Sequence, residues 1–130
     1  MIGPPVAIVP IRQTGEADCA IAALAMLLGK TYGEVAPIVT EVAPKALQRG
    51  LWVTEMQRVV RKLGGVLRVS RTFNLDEDVG LLMIDLEDSG HVVVLFRGVL
   101  INPGDGCVWE PDAYLAKSAA KPRSLLTLAV

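Results

Sequence analysis

Four side chains carry the chemistry open to this sequence. Gln13 and Cys19 stand with five residues between them in "RQTGEADCAIAALAMLL", and the single histidine, His91, precedes Asn102 in "HVVVLFRGVLIN". A thiol at the first position of a helix gains thiolate character from the helix N-terminus, and a neighbouring imidazolium adds to it. An imidazole with an amide oxygen beside it is an oriented base. The set then reads as Cys19 nucleophile, His91 base and acid, and Asn102 orienting group. Gln13 would be a second donor to a developing oxyanion, beside the free N–H of Cys19. The chemistry is acyl transfer through a thioester. The plainer reading makes Cys19 a small buried hydrophobe, Gln13 a surface amide, His91 an incidental polar residue and Asn102 a turn former before Pro103.

Two elements must bring these residues together. Asp18 is placed to cap a helix whose apolar face runs through Ala20, Leu24, Leu27 and Leu28, and Gly29 stops it. "HVVVLF" and "VLIN" read as a hairpin with Arg97-Gly98 as its two-residue turn. That turn sets Phe96 opposite Val99 and Val93 opposite Asn102, which leaves His91 and Asn102 as diagonal neighbours on one face. Diagonal partners lie about 7–8 Å apart at Cα, a gap that two polar side chains close. Asp88 and Asp105 are the alternative orienting groups. The "TGEAD" turn would fold Gln13 back toward Cys19.

The remaining chain supplies a scaffold. "TYGE" offers a Thr31–Glu34 capping box for a second helix reaching about Val42, with Pro37 expected to delay or kink it. "TEMQRVVRKLG" is a helix with a Thr54–Gln57 box, an inward stripe of Met56, Val59, Val60 and Leu63, and Gly64 as its end. Beyond it the period shortens to that of strands: "GVLRVSRTF", "GLLMIDL", the hairpin and "SLLTLAV", with a short helix over Pro111–Ser118. Helices followed by an antiparallel sheet describe a single α+β domain over residues 1–130.

With those elements laid out, the chain resembles the double-glycine (bacteriocin-processing) cysteine peptidases, a papain-like family. The likeness lies in "VPIRQTGEADCAIAALAMLLGKTYGEV", where that family has Gln, a few residues, Asp-Cys-Gly, a small-residue helix with Met, and Tyr-Gly. It continues through "GLWVTEMQRVVRKLGG" and "LLMIDLEDSGHVVVLFRGVLINPGDG" and spans about residues 8–118. The resemblance implies a papain-like fold with Cys19 as nucleophile, His91 as general base and acid, Asn102 as orienting member and Gln13 as oxyanion donor. Asn102 replaces the family's usual Asp, and Ala20 its usual Gly after the cysteine. With no exporter membrane domain or ATPase domain legible in these 130 residues, the leader-peptide substrate of exporter-linked members is not expected to come with the likeness.

Bulk properties narrow the partners. The net charge of -1 offers no general field for nucleic acid or anionic lipid. Arg58, Arg61, Lys62, Arg68 and Arg71 read as a solvated helix face followed by an edge strand. The longest apolar run, Ala20 to Leu28, is about half of a membrane span. No secretory signal is legible in "MIGPPVAIVP", and two distant cysteines give neither a disulfide framework nor metal-ligand spacing, so the expected compartment is cytoplasmic and no cofactor is implied. Cys107 reads as a structural residue at the start of a strand, or alternatively as a redox partner of Cys19. Gly104 and Gly106 read as turn residues, and Trp52 and Trp109 as groove walls or packed aromatics. A 52% apolar content points to a large core or to an interface, either between copies of the chain or with a larger assembly. The function expected is hydrolysis of a peptide or isopeptide bond. The alternatives are transglutaminase or deamidase chemistry at the same thioester, and a catalytically silent, assembly-associated module of the same fold.

Overall fold

The computed structural model describes residues 5–15, 17–86 and 89–129. Four helices come first: α1 (Cys19–Leu28), α2 (Tyr32–Val42), the short α3 (Ala46–Arg49) and α4 (Val53–Lys62). Strands β1 (Leu67–Ser70), β2 (Val79–Asp85), β3 (Gly90–Phe96), β4 (Val99–Asn102) and β5 (Cys107–Trp109) follow, then α5 (Pro111–Ser118) and β6 (Lys121–Leu128). The six strands form one antiparallel sheet in the order β1-β6-β2-β3-β4-β5. The architecture is α+β, helices first and sheet after.

Helix α1 explains the apolar run. Ala20 through Leu28 are all buried, because this helix lies between the sheet and its neighbouring helices and has almost no solvent face. It packs on β3 and β2, with α2 and α4 completing that layer around Leu24, Val35, Val39, Met56, Val59 and Val60. The opposite face of the sheet is also covered. Leu82, Ile84, Val93, Leu95, Leu100 and Leu125 pack there under Tyr114 of α5 and against Phe73, Leu75 and Trp109. Strands buried on both faces read as continuous apolar runs, which is why "GLLMID" and "HVVVLF" do not alternate. A two-faced core accounts for much of the high apolar content.

Several local signals work as read. Gly29 ends α1 at φ 66°, its N–H reaching Met26 and that of Lys30 reaching Ala25. Thr31 and Glu34 form the reciprocal capping box of α2. Arg97 and Gly98 both take positive φ, 46° and 90°, as a two-residue hairpin turn of this hand requires. The register pairs Phe96 with Val99, Leu95 with Leu100 and Val94 with Ile101.

Others differ. Helix α2 runs through Pro37 from its Thr31 cap, since the proline lies one turn in and removes only one interior N–H. Helix α4 is not opened by Thr54 and Gln57. Glu55 accepts the Trp52 N–H at 2.9 Å and is gripped by both terminal nitrogens of Arg49, at 2.9 and 2.8 Å, so the helix starts at Val53. The Arg49 hydrogen bonds outweigh burial and hold the Glu55 carboxyl at about 2. The strand read as starting at Cys107 is β5, whereas α3 went unread, because four residues are too few to show a period.

Candidate active site

Cys19 is the first residue of α1, half-buried, beside His91 at the start of β3. The two side chains line one groove with Gln13, Ala17, Arg49, Gly50, Gly90 and Gly104, with a volume of about 410 Å³. A second depression of about 300 Å³ extends from Cys19 and His91 past Leu51, Trp52 and Val53. The thiol is therefore reachable from a channel rather than sealed in the core.

The imidazole is oriented by Asn102. Its Nε2 lies 2.8 Å from Asn102 Oδ1, and the same oxygen accepts the Gly104 N–H at 3.0 Å. An N–H can only donate, so the Asn102 atom that Gly104 touches must be the carbonyl oxygen, and His91 Nε2 must carry the proton there. The tautomer follows: Nδ1 is left for the thiol. Asn102 is itself fixed, since its main-chain carbonyl accepts the Gly106 N–H at 2.8 Å and its Cα pairs with Cys107 across β4 and β5.

The electrostatics shift both groups toward their charged forms. Burial pushes the Cys19 thiol up, but the hydrogen bond and charge of His91 and the N–H groups of Val92 and Ala20 bring it below the ordinary thiol value. Burial pulls His91 down. The Cys19 and Asn102 hydrogen bonds, with the charges of Cys19 and Asp105, lift it above the usual imidazole value. Each member stabilises the charged form of the other.

Gln13 is brought to the same groove. Its backbone N–H donates to the Pro103 carbonyl at 2.9 Å, which ties its segment to the one after Asn102. Arg12 packs over Gly106, where a Cβ would stand 3.1 Å from the Arg12 Cβ. The side-chain Nε2 of Gln13 donates to the Gly15 carbonyl at 2.7 Å, while Oε1 is buried with no partner among the described residues. All four residues expected to act together, Gln13, Cys19, His91 and Asn102, thus meet in one place.

Of the alternative orienting groups, Asp88 lies outside the described residues. Asp105 spends its carboxylate on the Cys107 N–H at 2.8 Å and Trp109 Nε1 at 3.0 Å, and acts on His91 only through its charge. Cys107 is exposed, its Sγ 3.5 Å from the Asp105 carbonyl. Trp52 is 65% exposed at the groove and stacks under the Arg49 guanidinium at 4.4 Å, whereas Trp109 packs edge-on against Tyr114.

Asp18 departs from its expected role. No helix N–H of α1 bonds to its side chain. The carboxylate turns back to Thr14 and Gly15 and meets the Tyr32 hydroxyl at 2.6 Å, at 1% exposure. Sequence reasoning missed Tyr32, because nothing local in "TYGE" tells a core tyrosine from one aimed at a carboxylate. Arg49 was missed as well.

No protein-family model matches the chain, and no curated protein matches it. Among the described residues no three His, Cys, Asp or Glu side chains converge as a metal site, and no helix is long and apolar enough to cross a membrane.

Proposed function

We propose that this protein is a papain-like cysteine peptidase, cleaving a peptide or isopeptide bond with Cys19, His91 and Asn102. The observation that carries the reading is the doubly fixed Asn102 oxygen, which commits Nε2 of His91 and leaves Nδ1 for a thiol at a helix start. A merely structural histidine would not need its tautomer set while its other nitrogen faced a cysteine in an open groove.

The steps follow from the positions. The Cys19 thiolate adds to the substrate carbonyl, and the oxyanion takes hydrogen bonds from the Cys19 N–H and the free hydrogen of Gln13 Nε2. The His91 imidazolium gives its Nδ1 proton to the departing amine as the C–N bond breaks, leaving a thioester on Cys19. Water then attacks that carbonyl while His91 takes its proton, and collapse releases the acid and restores the thiolate. Asn102 keeps the ring in plane throughout.

The deciding measurement is the pH dependence of Cys19 alkylation by iodoacetamide in a Cys107→Ser background, with and without His91→Ala. The expected result is a reactive plateau reaching below neutral pH that disappears with His91→Ala. A single transition near the free-thiol value of about 8.5, indifferent to His91, would reject the reading. Hydrolysis of a peptide mixture, absent in Cys19→Ala, then separates hydrolysis from amine transfer by its products.

A further inference from the structure

We propose that Asp18 is the positioning residue of the oxyanion donor: its buried carboxylate, anchored by Tyr32, holds the Gln13 amide in place through Gly15. The inference rests on the peptidase reading and deepens it.

The connection is a continuous set of hydrogen bonds. Tyr32 donates its hydroxyl to Asp18 Oδ2 at 2.6 Å, and the same oxygen takes the Thr14 N–H at 2.9 Å and the Thr14 hydroxyl at 2.8 Å. Asp18 Oδ1 accepts the Gly15 N–H at 2.8 Å, and the Gly15 carbonyl accepts Gln13 Nε2 at 2.7 Å. The Gln13 Oε1, buried without a partner among the described residues, contributes no anchor of its own. Among the described residues the bond to Gly15 is therefore what fixes the amide plane. A primary amide carries two hydrogens on nitrogen, so one is spent on Gly15 and the second stays free for an oxyanion.

The carboxylate is specialised for this task. A residue at a helix N-cap ordinarily spends its oxygen on the first-turn N–H groups. The Asp18 side chain bonds to none of them and instead collects four donors from Thr14, Gly15 and Tyr32. Burial alone would push its carboxyl up, yet the Tyr32, Thr14 and Gly15 hydrogen bonds hold it at about 2, so the anchor stays charged across the working pH range. Because Asp18 directly precedes Cys19, the same residue ties the donor loop to the helix that carries the nucleophile.

The test compares two reactions of one thiol in the Cys107→Ser background. In p-nitrophenyl acetate acylation, the Cys19 thiolate forms an S–acyl bond, the ester C–O bond breaks and p-nitrophenolate leaves, through an oxyanion. Iodoacetamide alkylation displaces iodide from carbon without one. Asp18→Asn, which keeps the shape but offers an NH₂ where donors converge, is expected to slow acylation at least about tenfold, a fraction of the ~10²–10³ a single oxyanion donor supplies. Its alkylation rate should stay within about twofold of the parent. The double variant Asp18→Asn/Gln13→Ala should be no slower than Gln13→Ala alone, since both act through one group. Tyr32→Phe, which keeps the ring and removes one donor, should give a smaller acylation loss with the same non-additivity and carries the test if Asp18→Asn does not fold. Losses that multiply, alkylation falling in step with acylation, or anchor variants acylating like the parent while Gln13→Ala is slow would each overturn the proposal. A parent that gives no burst beyond Cys19→Ala removes the peptidase reading, and this inference with it.

Discussion

Replacing Asn102 probes the site most directly, because one oxygen serves two donors there. In Asn102→Ala the His91 Nε2–H loses its acceptor at 2.8 Å and the Gly104 N–H loses its own at 3.0 Å. A hydrogen bond to a charged group contributes about 1.5–3 kcal/mol, and the imidazolium is the charged form. At about 1.4 kcal/mol per decade, acylation should fall by roughly tenfold to 150-fold. The pH profile should narrow from its alkaline side. His91 is held above the ordinary imidazole value against its burial partly by Asn102, so removing that bond lowers the pH at which the imidazolium is lost. Asn102→Asp is the complementary change. It keeps an acceptor for both donors and adds a negative charge, so the alkaline limb should move up. The assay is the p-nitrophenolate burst rate from about pH 5 to 10 in the Cys107→Ser background, a window that brackets both the imidazole and the thiol. An alkaline limb that stays put in both variants, or moves the same way in both, would refute the assignment of Asn102 as the group that stabilises the imidazolium.

Two further outcomes concern the scaffold. The Asp18 carboxyl is lowered from 3.8 to about 2, so it contributes stability above its unfolded value that is lost as pH falls through about 2. A lowering of that size corresponds to about 2 kcal/mol, and urea midpoints measured from about pH 5 down to about pH 2 should fall more steeply for the parent than for Asp18→Asn. Gly80 in β2 has no room for a side chain, since a Cβ would run into the Leu126 carbonyl of β6 and crowd Leu125. Gly80→Ala must push β2 and β6 apart at the centre of the sheet, and a loss above about 2 kcal/mol in equilibrium unfolding is expected; a change under about 0.5 kcal/mol would contradict the packing.

What the sequence determined is what short-range physics controls. The Arg97-Gly98 turn sets its own register, and register sets which side chains share a face, so His91 beside Asn102 was legible from "RG" and the alternation around it. Gly29, the Thr31–Glu34 box and the apolar run of α1 were legible for the same reason: each is decided by residues close together in the chain. Helices first, sheet after, followed from the change of period at Gly64. Tertiary structure decided the rest. Nothing in "TGEADC" says that Asp18 will abandon its cap for Thr14, Gly15 and the hydroxyl of Tyr32, because that choice depends on α2 packing beside α1. The start of α4 at Val53 depends on Arg49 reaching Glu55 from a helix too short to leave a period. The meeting of α1 with β3, which puts the thiol against the imidazole, joins residues 72 positions apart through the burial of α1 on the sheet. Local chemistry wrote each half of the site, and long-range burial of apolar surface brought the halves together.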